Sequence, residues 1–152
     1  NQKMLMKETA VKLENLLKLG FDYISKSSEQ ELSKKKNDKT WSKKEIIGHL
    51  IDSGINNLQR FTEIQFTEKP YVVRKYNQVE LVKVNDYQNS ETRELLNFWL
   101  SINKRIEKVI EKQTEETLRY KVKISDETTV DLRFLIKDYI DHLAHHLQQI
   151  RN

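Results

Sequence analysis

The chain has 152 residues with no cysteine, three glycines and one proline, and its 27 lysines and arginines against 23 acidic residues leave a formal charge of +4. That length suits one domain, residues 1–152, with a real core, and so few helix breakers favour long helices over a turn-rich β fold. Without cysteine there is no disulfide, thiolate metal site or cysteine nucleophile; no stretch approaches the roughly 20 apolar residues of a membrane span, and no signal-peptide core is present, so a cytoplasmic address is expected.

Leu5, Leu13, Leu16, Leu17 and Phe21 recur at helical steps and predict a first helix over roughly 3–25. Lys34, Lys35 and Lys36 form the chain's compact basic run, ahead of Trp41 in a loop. Elsewhere lysine and arginine alternate with acidic residues, so the run reads as a solvated connection and no nucleic-acid partner is expected.

Ser42 followed by Glu45 makes a capping box and opens a second helix, roughly 42–66. Its apolar stripe is Ile47, Leu50, Ile51, Gly54, Ile55, Leu58 and Phe61. His49 lies on the other side, with Glu45, Asp52, Asn56 and Arg60. Two readings of that polar face stand open: a solvated surface, or the wall of a wet pocket.

A connection of some twenty residues, 67–89, carries Pro70, Tyr71, Tyr76 and Tyr87. Connections this long are uncommon in bundles and often functional. The third helix, roughly 90–112, has Leu95, Leu96, Trp99, Ile102, Ile106 and Ile110 in its stripe. A small hairpin is predicted from 119–124 and 128–130, turning at Ser125, Asp126 and Glu127.

From Leu132 to Ile150, Leu135, Ile136, Tyr139, Ile140, Leu143 and Leu147 mark a fourth helix. The chain's other three histidines fall here, in the run DHLAHH. His142 and His146 stand four residues apart, which places their Cβ atoms about 5–6 Å apart on one face, close enough for both rings to reach one ion. His145 is turned about 100° from His146 and sits with Asp138, Asp141, Gln148 and Gln149 on the polar side. In a bundle, His49 and the His142/His146 pair come from different helices, as a shared metal site requires.

The stretch TWSKKEIIGHLIDSGINNLQRF resembles the second-helix motif of the DinB superfamily, in particular its YfiT-like members, and YIDHLAHHLQQI resembles that family's closing motif. The resemblance implies an all-α four-helix bundle with a long crossover between helices 2 and 3. It also implies a divalent metal held by His49, His142 and His146, with zinc or nickel foremost, and His145 standing outside the ligand set. Members with known activity include metal-dependent transferases and isomerases that use small thiols such as bacillithiol, mycothiol or glutathione. A homodimer is expected on the same ground. In the crossover, Tyr76, Asn77, Gln78, Val79 and Glu80 replace the acidic-basic-Trp segment usual in YfiT-like members, so substrate specificity does not carry over.

Three neutral imidazoles leave a coordination position open, the mark of catalytic rather than structural zinc. A thiol there would become thiolate, the nucleophile, and with no cysteine in the chain it must come from a small cofactor. Water there would instead support hydrolysis. The expected activity is a metal-dependent S-transferase acting on a small-molecule electrophile. Asp52 and Asn56 are candidates for orienting substrate or thiol, Arg60 for pairing with a carboxylate of the cofactor, and Asp141 for supporting a ligand histidine. The alternatives are a hydrolase, or a non-catalytic stress-response bundle that binds metal or a small ligand.

Overall fold

The computed structural model describes residues 5–152. Its helices are α1 (Lys7–Lys26), α2 (Glu29–Ser33), α3 (Lys43–Glu63), α4 (Gln78–Val84), α5 (Thr92–Glu111), α6 (Glu115–Leu118) and α7 (Leu132–Arg151). Three short strands accompany them, β1 (Tyr71–Val72), β2 (Lys121–Lys123) and β3 (Thr129–Asp131). The long helices α1, α3, α5 and α7 form a bundle in which α5 and α7 each pack against both α1 and α3. α3 and α7, which carry the histidines, are therefore neighbours. The expected start of the first helix at Lys3 lies outside the described residues.

The bundle closes because each long helix buries an apolar stripe. Leu13, Leu17 and Ile24 of α1, Ile47 and Ile51 of α3, Trp99 and Ile106 of α5, and Ile136, Leu143 and Ile150 of α7 share one core. Each such side chain contributes about 1.5–3 kcal/mol on leaving water. Two expected core residues stand at stripe margins instead: Phe21 is 41% exposed and Ile55 43%. Both lie on the edge of their helix's stripe away from the shared core, where the side chain stays partly in solvent.

Local chemistry sets the helix starts. The Ser42 hydroxyl accepts from the Glu45 amide at 3.0 Å, and the Glu45 carboxylate accepts from the Ser42 amide at 3.1 Å. Asp131 caps α7 by accepting from the Phe134 amide at 2.9 Å. Such caps each contribute about 0.5–2 kcal/mol and fix where the histidine-bearing helices begin.

The connection between α3 and α5 is more ordered than its composition suggests. It holds β1, α4, capped by the Asn77 side chain on the Glu80 amide, and a single 3₁₀ turn at Tyr87–Asn89. β1 pairs parallel with β2 through Tyr71 opposite Val122, and β2 pairs antiparallel with β3 through Val122 opposite Val130. The predicted hairpin thus supplies two strands of a three-stranded sheet in which β2 is central. The turn reaches the bundle at Gly48, where a Cβ would lie 2.0 Å from the Tyr87 ring. Glycine lets Tyr87 lie flat on α3, one residue before His49.

Candidate metal centre

His49 comes from the second turn of α3 and His142 and His146 from the second half of α7. One nitrogen from each of the three lies within 4.8 Å of the others. The Nε2 atoms of His142 and His146 face each other at 3.1 Å. Two nitrogens each ~2.05 Å from one tetrahedral ion would be ~3.3 Å apart, so the α7 pair is already spaced for a shared ligand. The His49 ring stands nearly perpendicular to both, at 75° to His142 and 79° to His146, with centroids 5.4 and 4.7 Å away. Trp41, from the loop before α3, covers His49 at 5.0 Å.

His49 is completely buried, and neither of its ring nitrogens has a hydrogen-bond partner. An unsatisfied buried polar group costs about 1–3 kcal/mol. A metal ion takes up an imidazole lone pair, and the donor set here, three imidazoles and no thiolate, suits a divalent first-row ion. The electrostatics agree. Burial, reinforced by the neighbouring imidazoles, lowers the His49 pKa to about 4. Burial also lowers those of His142 and His146, partly opposed by Asp138 at the first and by Gln149 at the second. All three rings are therefore neutral at pH 7, the form that binds metal.

Gln149 has a specific part in this. Its Oε1 lies 2.8 Å from His146 Nδ1. A carbonyl oxygen only accepts, so Nδ1 carries the proton and Nε2 presents its lone pair toward His142 and His49. Gln149 follows His146 by three residues, a helical spacing that puts the two side chains on one face. His145 is exposed on the outer side of α7.

The other predicted site residues are placed differently. Asp52 is buried, but its Oδ1 accepts from Tyr87 Oη at 2.6 Å and from Asn85 at 3.4 Å. Burial raises its pKa, with the Tyr87 bond opposing. The Asn56 side chain donates back to the Asp52 carbonyl at 2.8 Å. Arg60 has no carboxylate partner among the described residues: it donates to the Arg74 carbonyl at 3.0 Å and lies over the Tyr76 ring at 5.5 Å. Asp141 does not support a histidine. It is exposed and pairs with Lys137 at 2.8 Å and Lys12 at 3.4 Å. One residue before His142, it projects about 100° away from that ring, whereas Asp138, one turn earlier, lies on the same face.

Two openings flank the histidines. A cavity of about 340 Å³ is lined by Ser53, Asn57, Arg60, Tyr76, Tyr139 and His142. A larger cleft of about 990 Å³ lies against His146, Gln149 and Trp41. The polar face of α3 is thus no solvated surface: His49, Asp52, Ser53, Asn56 and Asn57 are all buried, covered by Trp41, Tyr87 and the crossover.

The family model of the DinB superfamily matches residues 13–150. The chain belongs to the DinB superfamily. It is 28% identical over 123 residues to a Halalkalibacterium halodurans protein named "Putative metal-dependent hydrolase BH0277", covering 81% of this chain and 71% of that one. Among solved structures it resembles Bacillus subtilis YfiT, described as "a probable metal-dependent hydrolase with an unusual four-helix bundle topology". That match has a TM-score of 0.83 at 19% identity and covers 93% of this chain and 81% of YfiT. A mycothiol-dependent maleylpyruvate isomerase matches with a TM-score of 0.75 at 13% identity; this DinB chain is covered to 95% but spans only 60% of that enzyme. These structural likenesses show the shared four-helix bundle. Among the described residues no helix is long and apolar enough to cross a membrane.

Proposed function

We propose that this protein is a divalent-metal-dependent enzyme of the thiol S-transferase type, with the metal held by His49, His142 and His146. The observation that carries the reading is the buried His49 imidazole, unpartnered at both nitrogens and within 4.8 Å of the ligand atoms of His142 and His146. When bound, the ion supplies positive charge and an open coordination position at which a small thiol is held as its thiolate. The chain's own residues do the rest. Gln149 fixes the tautomer of His146, Trp41 screens His49 from water, and Arg60, with no carboxylate partner among the described residues, is a cation for a carboxylate on the reactant in the adjoining cavity. Asp52 and Asn56 act as positioning residues: Asp52 ties α3 to the Tyr87 turn, and Asn56 bonds back onto the Asp52 carbonyl within α3.

Hydrolysis is the second reading, supported by the names of the Halalkalibacterium halodurans and Bacillus subtilis relatives. Cobalt-loaded protein separates the two. On the transferase reading, adding bacillithiol or glutathione produces a sulfur-to-cobalt charge-transfer band in the near ultraviolet. A spectrum unchanged by thiol, together with metal-dependent cleavage of an ester or amide, would replace it with hydrolysis.

A further inference from the structure

The larger cleft beside the histidines is strongly and unevenly charged. Lys34, Lys36, Lys39 and Lys43 line it, with Glu31 as the acidic side chain among its lining residues. Glu31 is already engaged, accepting from Lys43 at 3.1 Å and from Tyr23 Oη at 2.5 Å. Lys35 points elsewhere and pairs with Glu45 at 2.8 Å, and Lys44 is buried against Glu29 at 2.6 Å. Lys34, Lys36 and Lys39 have no acidic partner within ion-pair distance among the described residues, and Asp38, in the same loop, does not line the cleft. Three lysines therefore line one concavity with no acidic side chain paired to them among the described residues, a configuration that raises the local concentration of anions.

The cleft is not merely basic. Trp41, Ile46 and Val79 give it an apolar wall, and Val79 is 61% exposed. His146 and Gln149 border the same space, so an occupant of the lysine cleft meets His146, the edge of the histidine trio. The volume of about 990 Å³ is at the upper end of what small-molecule sites enclose. An inorganic ion would leave most of it empty.

We propose that this cleft seats an organic polyanion, a small molecule with two or more carboxylate or phosphate groups held by Lys34, Lys36 and Lys39 and an apolar body against Trp41 and Val79. The basic run before Trp41 is then a binding element rather than a solvated connection. The reactive end of the occupant meeting a metal rests on the function proposed above; binding itself does not.

Trp41 reports on the cleft directly, because the chain's other tryptophan, Trp99, is fully buried in the core. Tryptophan fluorescence is titrated with tricarballylate, with fructose 1,6-bisphosphate and with sodium chloride at matched ionic strength, with and without added zinc. The expected result is a saturable change with at least one of the two organic anions, the stronger one telling carboxylate from phosphate recognition. The change should be lost in Trp41→Phe, and half-saturation should rise roughly tenfold in Lys34→Gln/Lys36→Gln/Lys39→Gln. Lys18→Gln, on the outer face of α1, should behave as the parent. No saturable change, a response reproduced by chloride, or an undiminished response in the triple variant would overturn the proposal. Metal content is measured on the same samples and should be unchanged in the triple variant; a parent that binds the anion but no metal would refute the metal reading and leave this one standing.

Discussion

α3 and α5 are nearly equal in length, 21 and 20 residues, and use burial in opposite ways. α5 buries Leu95, Leu96, Trp99, Ile102, Ile106 and Ile110; its buried amide Asn103 accepts from Tyr139 Oη at 2.6 Å and donates to the Trp99 carbonyl at 2.9 Å, and the neutral Trp99 indole N–H is its one buried side-chain polar group left without a partner among the described residues. α3 buries His49, Asp52, Ser53, Asn56 and Asn57 beside its apolar stripe, and His49 and Asp52 keep atoms with no partner. α5 stabilises the bundle. α3 carries polar groups whose burial opposes folding, and such groups gain their compensation from what binds to them.

The contrast can be broken most forcefully at Trp99. Trp99→Ala should lower stability by about 3–5 kcal/mol in urea denaturation while the folded fraction keeps its metal affinity. A loss of metal affinity in folded protein would mean that the two helices are not separable in this way.

Acid should strike the other side of the comparison. His49 has a folded-state pKa of about 4 against an ordinary 6.5, so the unfolded chain takes up the proton first. In metal-free protein this contribution is fully present above about pH 6.5 and falls as the pH drops toward 4, reaching a loss of about 2–3 kcal/mol by pH 4.5. Urea midpoints at pH 7 and 4.5 measure it, and His49→Leu should remove that part of the decline. An identical decline in the variant would place its source elsewhere.

The two remaining α7 side chains sharpen the picture at smaller scale. Gln149→Ala frees the His146 tautomer and should weaken metal binding about 10–100-fold. His145→Ala, on the outer side of the same helix, should leave affinity within about twofold. Competition with a metallochromic chelator checks both, and equal losses would show that proximity to His146, not the Nδ1 hydrogen bond, is what matters.

Much of this architecture is legible in the sequence because it is written in local periodicity. The four apolar stripes and the Ser42/Glu45 box need no tertiary information, and the four-residue step from His142 to His146 places two rings on one face. Burial of the polar face of α3 is not local: Trp41 and Tyr87 cover it from loops on either side, and Gly48 reads as ordinary helix until Tyr87 lies on it. α4 escapes notice because QVELVKV is only seven residues long, although Asn77 and Glu80 carry its cap. β1 is two residues paired to a strand fifty positions away. Asp138 and Gln149 were within reach, since their helical offsets from His142 and His146 are the same kind of evidence that found the histidines.

The central claim is that the three histidines form one metal site, and metal content by elemental analysis of protein purified without a polyhistidine tag or chelator tests it most directly. The account predicts about one divalent ion per chain in the parent and in His145→Ala, and loss of that ion in His49→Ala, His142→Ala and His146→Ala. A parent that binds no metal after reconstitution, or a folded His49→Ala variant that keeps its full complement, would contradict it.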